Sequence, residues 1–328
     1  MSTQSKPIPR AFIWKRVHSL MGFAIVVYLM EHLTTNAQAA LWIGQDGAQF
    51  IKMVNFIHSL PFLKVLEILL IAIPIGFHAI IGIKYALNGR NNNKRTDGKS
   101  PSLKQYERNK AYNWQRISSW ILLIGIILHV IQMRFIDYPK AVEQGSEHLY
   151  LTKISMDSGL YTLAPRLGVK LYDQNQIQCF SQSVLEVSAP SQTYANSAEN
   201  VDFNETLARN KSSQQSSYYK GVMAKALTSF QIGPKEVVAI SPNSGTAFLL
   251  NVRNTFKSFW MIGFYSLFVL AAAFHGFNGL WTFLISWGAI LSYRSQKKML
   301  NLCYGLMLLM AFFGLSAVWG TYWVNLRY

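Results

Sequence analysis

Five apolar stretches, each long enough to cross a lipid bilayer, constrain this chain more than any other feature. A hydrocarbon core of about 30 Å takes about 20 helical residues. Several stretches carry polar side chains, which must pack against neighbouring helices because lipid offers them no hydrogen bonds. The sequence therefore predicts an all-α membrane protein with five transmembrane helices. The predicted spans are 18–42, 61–87, 114–135, 258–288 and 299–323.

Composition and charge distribution exclude several soluble functions. Charged residues make up 14% of the chain, against about 25% in ordinary globular proteins. The net charge of +16 does not indicate a nucleic-acid partner, because the excess lies in the connections between apolar stretches and at the termini. The sequence contains no glycine-rich nucleotide loop. Its two cysteines, Cys179 and Cys303, are too few and too far apart to hold an iron–sulfur cluster.

The basic residues predict the orientation of the spans. Alternate connections are strongly basic, which is typical of the cytoplasmic side. We therefore expect a cytoplasmic N-terminus, an external C-terminus and location in a bacterial cytoplasmic membrane. The basic residues concerned are Lys6, Arg10, Lys15, Arg16, Lys84, Arg90, Lys94, Arg95, Lys99, Lys104, Arg108, Lys110, Arg116, Arg294, Lys297 and Lys298.

A long polar connection separates the third and fourth spans. The predicted divisions are 1–136 for helices 1–3, 137–257 for a small, partly ordered external insertion, and 258–328 for helices 4–5. Within the insertion, Glu236–Ser241 predicts a strand, followed by a turn and a helix over Ala247–Phe256. The region Ser181–Ser217, rich in Ser, Gln and Asn, predicts loop or partial disorder. The insertion is read as a small external cap, and the alternative is a loop that has no chemical role.

Four histidines lie inside four different spans: His32, His78, His129 and His275. Neutral imidazole is a common axial ligand of haem iron, and a helix bundle places such side chains in its core. Proton relays or core packing are the alternatives. At 1.5 Å per residue, His32 and His129 lie about 20–24 Å from the cytoplasmic surface and His78 about 9 Å. The depth of His275 is ambiguous, and by exclusion it joins His78. The sequence thus predicts two haems stacked across the bilayer.

Small residues and one proline accompany these histidines. Glycines near the ligand turns either admit a large ring or serve helix packing. Pro74 predicts a kink in the second helix. The glycines are Gly76, Gly82, Gly125, Gly276 and Gly279.

Several motifs resemble the cytochrome b subunit of succinate:quinone oxidoreductases, in the form with one polypeptide, five helices and two haems. The resemblance covers all five spans, with the external insertion as its main departure. The segments that carry it are Arg16-Val-His-Ser-Leu-Met-Gly22, Glu31-His-Leu33, Ser59-Leu-Pro-Phe62, Leu66-Glu67, Phe77-His-Ala-Ile-Ile-Gly82, Gln115-Arg116, Phe274-His-Gly-Phe-Asn-Gly-Leu-Trp281 and Arg294-Ser-Gln296.

The resemblance implies a membrane anchor for a flavoprotein and an iron–sulfur subunit on the cytoplasmic side. Electrons from succinate would pass through two b haems to quinone, with menaquinone expected, or in reverse to fumarate. It implies the four histidines as axial ligands. The alternatives are a cytochrome b anchor of another quinone-linked dehydrogenase and a haem-free transporter or structural anchor.

Five further residues are candidates for the same chemistry. Arg16, His18 and Arg116, at the cytoplasmic ends of helices, are candidates for the inner haem propionates, with an interfacial role for the arginines as the alternative. Glu67, eleven residues before His78, is expected to face the bundle interior near the outer haem, where a carboxylate suits quinone protonation. A hydrogen bond to a neighbouring helix or loop is its alternative role. His58 is a candidate for lining a quinone site, against a surface histidine.

Overall fold

The computed structural model describes residues 8–89, 106–144, 147–188 and 203–327. Lys6 and the basic residues between 90 and 104 lie outside the described residues. Within the described ranges, five helical segments are long and apolar enough to cross a membrane, which confirms the predicted all-α membrane architecture. The chain is a multi-pass membrane protein. The five segments are Arg10–Ala37, Leu63–Asn88, Arg108–Ile136, Phe259–Ser286 and Tyr293–Arg327.

The first span and the connection after it differ from the prediction. Helix α1, Arg10–Ala37, starts and ends several residues earlier than expected because the helix continues past the apolar stretch at its N-terminal end. The first connection contains a second helix, α2, Ala48–His58. The sequence patterns had not predicted a helix in this connection. Asp46 and Gly47, both with positive φ, form the turn into α2.

The second and third spans contain turns that are wider than an α-helix. Helix α3, Leu63–Glu67, passes through a π-helical turn, Ile68–Ala72, into α4, Ile73–Asn88. This turn ends two residues before Pro74, which has no backbone N–H for a regular helical hydrogen bond. The structure thus shows a wide turn before Pro74, and the kink itself stays a prediction.

The third span has a similar turn at its end. Helix α5, Glu107–Val130, continues into a π-helical turn, Ile131–Ile136, which begins two residues after His129. Such turns occur frequently at functional sites.

The insertion folds as an antiparallel sheet with helices on both faces. Its four strands have the spatial order β1-β2-β4-β3. Alternate side chains of a strand point to opposite faces, so Val237 and Ala239 pack towards α6 and α9, while Val238 and Ile240 pack towards α7 and α8. The elements are β1 Lys140–Gln144, β2 Glu147–Ser155, α6 Ser158–Arg166, β3 Lys170–Tyr172, α7 Gln174–Ser188, α8 Phe203–Thr228, β4 Glu236–Ser241 and α9 Ser244–Thr255.

The strand predicted at Glu236–Ser241 and the helix after it are confirmed. The prediction of loop or partial disorder for Ser181–Ser217 is wrong where the chain is described, because α7 extends to Ser188 and α8 begins at Phe203. Residues 189–202 lie outside the described part. Packing explains the helices, since Ile177 of α7 and Leu227 of α8 are buried against the sheet and outweigh the polar composition.

The bundle is built around α1 and α10, Phe259–Ser286. Helix α1 packs against α4, α10 and α11, and α5 packs against α10. The fifth span consists of α11, Tyr293–Leu315, a π-helical turn and α12, Thr321–Arg327. It lies against α1 and α10, where Gly314 allows a close approach to Val269. The first four spans therefore form the bundle and the fifth covers one side.

The insertion is fixed to the first connection through α2 and α9. The side-chain oxygen of Asn55 accepts hydrogen bonds from the Gly245 backbone N–H at 2.7 Å and the Ser244 hydroxyl at 3.1 Å. A Cβ on Gly245 would lie 2.4 Å from the Ile51 carbonyl oxygen, so only glycine fits. This contact holds α2 and α9 at the end of the bundle that we call the insertion end.

Candidate functional site: two histidine pairs in the bundle

The structure brings the four span histidines together as two pairs. The ring centres of His32 and His129 are 5.9 Å apart, and those of His78 and His275 are 6.1 Å apart. In both pairs the ring planes are nearly perpendicular, at 81° and 85°. The first pair lies towards the insertion end and the second towards the opposite end. These are the pairs that the depth estimate predicts, and their haem ligation stays a prediction.

Tyrosines hold the pair at the insertion end. Tyr28, one helical turn before His32, places its hydroxyl 3.3 Å from Nδ1 of that histidine. Nδ1 of His129 lies 3.1 Å from the Tyr265 hydroxyl. That hydroxyl donates to the Gln132 side-chain oxygen at 3.2 Å, so the tyrosine oxygen can accept the His129 N–H. Both imidazoles are thereby oriented through Nδ1.

Backbone carbonyls hold the pair at the opposite end. Nδ1 of His78 donates to the His18 carbonyl oxygen at 3.0 Å. Nδ1 of His275 donates to the Gln115 carbonyl oxygen at 3.2 Å, and the Ser118 hydroxyl lies equally close. Because these N–H groups point to carbonyls, Nε2 of each ring carries the lone pair that a metal requires.

This arrangement fits two haem groups. Within the described residues, no hydrogen bond occupies Nε2 of any of the four histidines. Metal–nitrogen bonds of about 2 Å place the centres of two imidazoles on opposite sides of one ion about 6 Å apart. Each of the four histidines is only partly buried as a residue. The described chain holds no cluster of three or more His, Cys, Asp or Glu side chains suited to a metal ion, whereas a haem iron needs only a pair.

The structure places the other inner-haem candidates at the end opposite the insertion. His18 stacks on His78 with ring centres 4.0 Å apart and an interplanar angle of 17°. Arg16 donates to the Ser286 carbonyl oxygen at the C-terminus of α10, and its guanidinium lies over the rings of Phe12 and Trp287. These contacts favour the interfacial role for Arg16, because the helix C-terminus attracts a cation.

Arg116 makes one hydrogen bond to the backbone and has a second N–H group without a partner among the described residues. Its Nη2 donates to the Ala86 carbonyl oxygen at 2.7 Å, near the C-terminus of α4. Its Nε is buried and has no hydrogen-bond partner among the described residues. Since buried polar atoms are almost always paired, this N–H fits an anionic group such as a haem propionate.

The glycines near the four candidate histidines have different surroundings. A Cβ on Gly125 would meet the Phe268 ring at 2.4 Å, and one on Gly276 would meet Leu29 at 3.2 Å. Helix packing explains these two. Gly76 has nothing within 4 Å of such a Cβ. The glycine that touches a ligand is Gly22, whose Cβ would lie 2.8 Å from Cε1 of His78.

Gly22→Ala is expected to weaken haem binding at the pair His78/His275. The new methyl group would push the His78 ring from its bond to the His18 carbonyl, and losses of such supporting contacts cost about tenfold to a hundredfold in metal affinity. Haem retained per chain after transfer to excess apomyoglobin measures this. Gly76→Ala, close to the same histidine but with open space, is the matched control. Equal haem retention in the two variants would contradict the role of Gly22.

The remaining candidates, Glu67 and His58, lie at the insertion end. Oε2 of Glu67 accepts from Nη2 of Arg134 at 2.8 Å, with about a third of each side chain exposed (32% and 41%). This contact fits the alternative role for Glu67, a hydrogen bond to a neighbouring helix, with Arg134 as the partner. Burial lowers the pKa of His58, while Glu67 opposes this shift and Arg134 adds to it. His58 is therefore neutral near pH 7 and can both donate and accept a hydrogen bond.

Sequence analysis missed the groups that orient the histidines. Tyr28 carries a local signal, since a residue four positions before His32 lies on the same helix face. Tyr265 carries none, because its partner His129 belongs to another helix. Arg134, the partner of Glu67, was missed for the same reason.

Comparison with known proteins supports the resemblance. The chain is 32% identical over 139 residues to a protein named succinate dehydrogenase cytochrome b558 subunit from Bacillus subtilis (strain 168). The match covers 42% of this chain and 60% of that protein, so it spans less than two thirds of the relative. No family model matches the chain. No solved structure matches it.

Proposed function

We propose that the chain is the dihaem cytochrome b membrane anchor of a succinate:quinone oxidoreductase. The observation that carries this proposal is the two histidine pairs, each about 6 Å between ring centres and each with Nδ1 occupied. The similarity to a succinate dehydrogenase cytochrome b558 subunit supports the choice among quinone-linked dehydrogenases. The two cysteines of the chain are too few for an iron–sulfur cluster, and succinate oxidation is assigned to partner subunits.

Haem iron supplies reversible one-electron transfer when bound. His32, His129, His78 and His275 would hold two such groups at two depths of the bundle. The chain's own contribution is to orient these imidazoles through Tyr28, Tyr265 and the two carbonyls. Arg116 and His18 would face the group at the end opposite the insertion.

The partners follow from the proposed orientation. A flavoprotein subunit and an iron–sulfur subunit would dock on the cytoplasmic side, where the basic connections lie. The insertion and the C-terminus would then be external, in a bacterial cytoplasmic membrane. This places the pair His78/His275 nearer the docked subunits and the pair His32/His129 nearer the quinone.

We assign quinone chemistry to the insertion end, at Glu67 and His58. Reduction of a quinone takes two electrons and two protons. The electrons would come from the haem at the outer pair, and Glu67 and His58 can each take up a proton from external water and pass it to a quinone oxygen. Glu67 interacts electrostatically with Tyr28, which is hydrogen-bonded to His32. The carboxylate therefore acts electrostatically on a residue that contacts the outer histidine pair.

A reduced-minus-oxidised spectrum with haem quantitation tests the function. We expect two haems per chain that titrate at separate potentials. Well-folded protein without haem would overturn the proposal and favour the haem-free transporter or anchor. A single haem would contradict the two pairs.

Glu67→Gln is expected to lower quinone turnover about a hundredfold, because general acid–base groups contribute about 10²–10⁴ to rate. Haem content should not change, since Glu67 contacts no candidate ligand directly. Turnover is measured in the complex with a soluble quinone. Glu31→Gln removes a carboxylate bonded to Thr35 and is the matched control. Equal turnover in both variants would remove Glu67 from the quinone site.

A further inference from the structure

We propose that the insertion completes the quinone site, with Phe248 of α9 as an aromatic wall against which the quinone ring binds. This inference rests on the proposed function. It assigns a ligand-binding role to a part of the chain that the sequence resemblance leaves without one.

A continuous set of side chains connects Phe248 to Glu67. The Phe248 ring centre is 5.1 Å from that of His58 and 5.4 Å from that of Tyr138. The Arg134 guanidinium lies 4.6 Å above the Tyr138 ring, and the same arginine bonds to Glu67 at 2.8 Å. We call these five residues the outer cluster. They come from α2, the second span, the end of the third span and the insertion.

The outer cluster matches the chemistry of a quinone. A quinone is a flat apolar ring with two carbonyl oxygens that become hydroxyl groups on reduction. Phe248 and Tyr138 offer aromatic faces, which stack on such rings. His58 and Arg134 offer N–H donors for the carbonyl oxygens, and Glu67 offers a proton acceptor or donor. An inorganic ion would not require the two aromatic faces.

The surroundings of the outer cluster suit a ligand that arrives from the bilayer. Phe62 at the start of the second span is 81% exposed on the outside of the bundle. Phe135 and Ile136 at the end of the third span are 75% and 71% exposed. These apolar residues border Glu67 and Arg134 along the chain. A lipid-soluble quinone can therefore reach the cluster between the ends of the two spans.

Phe248 is held firmly in place although the residue is only partly buried. Its neighbours Ala247, Leu249 and Leu250 are buried, and Phe248 is only half-buried at the edge of the core between α2 and α9. The bonds of Asn55 to the start of α9 fix the helix. A fixed aromatic ring loses little freedom on binding a ligand, which favours affinity.

Equilibrium binding of 2-methyl-1,4-naphthoquinone to the detergent-solubilised full chain tests the inference. Phe248→Ala is expected to raise Kd about tenfold, the loss typical of a stacked aromatic ring with its buried area. Phe248→Tyr should keep Kd close to that of the wild type. Phe248→Leu should lie between them and covers the case in which the alanine variant fails to fold. Tyr161→Ala, at an exposed aromatic residue of the insertion, is the control and should bind normally.

Haem content of each variant separates the two proposals. Wild-type protein without haem would overturn the proposed function. Wild-type protein with two haems whose Kd is unchanged by Phe248→Ala would overturn only this inference, and Phe248 would then be a packing residue. Haem-replete wild type that does not bind the naphthoquinone would overturn the inference as well.

Discussion

Replacement of His275 by leucine is expected to leave one haem per chain instead of two. Its imidazole and that of His78 have ring centres 6.1 Å apart, and Nδ1 of each already donates to a carbonyl oxygen. A leucine side chain offers no ligand atom, so the iron at this pair would lose one of its two axial bonds. The pair His32/His129 shares no ligand with it and should keep its haem. Haem quantitation and the difference spectrum measure both effects.

Two further variants make this result specific. His129→Leu should remove the other haem, so that the two variant spectra together account for the wild-type spectrum. His148→Leu, at an exposed histidine of β2, is the matched control and should retain both haems. Two haems in His275→Leu would refute ligation by that residue, and loss of both in either single variant would refute independent pairs.

The membrane part of the fold was largely predictable because apolar length along the sequence determines which segments cross the bilayer. Long apolar stretches must be helical in lipid, and the fixed rise of a helix converts sequence position into depth. The same arithmetic places His32 level with His129. Helical rise does not predict which way a side chain faces when an irregular turn lies between it and its reference residue. The π-helical turn Ile68–Ala72 separates Glu67 from His78, so the 100° step assumed between them does not hold.

The insertion and the contacts between helices were less predictable. A polar composition predicts loop for α7 and α8, but both helices form because a few apolar residues such as Ile177 and Leu227 meet the sheet. Only β4, with its run of β-branched and small apolar residues, carried a strong local signal. The partnership of Glu67 with Arg134 depends on where two spans end relative to each other. Such information lies in packing and not in sequence spacing.

Asp157→Ala is expected to destabilise the insertion, close to where its last helix leads into the fourth span, by about 3–5 kcal/mol, the cost of breaking a buried ion pair. The Asp157 carboxylate accepts from the Leu160 N–H at 2.8 Å, which caps α6. It also pairs with Arg253 at 3.3 Å and with Lys257. Arg253 is only 6% exposed, so its charge would remain in the protein without the ion pair that Asp157 provides. Thermal unfolding and limited proteolysis of the insertion in the full chain measure the loss.

The exposed ion pair between Asp46 and Arg166 provides the matched control. Both side chains are about a third or more exposed (31% and 46%), and breaking such a surface pair costs about 0–1 kcal/mol. Asp46→Ala should therefore change the unfolding temperature far less than Asp157→Ala. Equal effects would show that the Asp157 cluster does not anchor the insertion.

The pH dependence of the stability of the insertion tests the role of Asp157 independently. Burial raises the pKa of Asp157, but the hydrogen bond and charge of Lys257 and the charge of Arg253 outweigh it, so the net shift is downward. A carboxyl group with a lowered pKa stabilises the fold above its ordinary pKa and loses that contribution as pH falls through the folded-state value. The wild-type insertion should thus become easier to unfold as the pH falls below about 4. The Asp157→Ala variant should lack this part of the acid destabilisation. If its unfolding depends on pH as in the wild type, the acid destabilisation comes from other carboxylates.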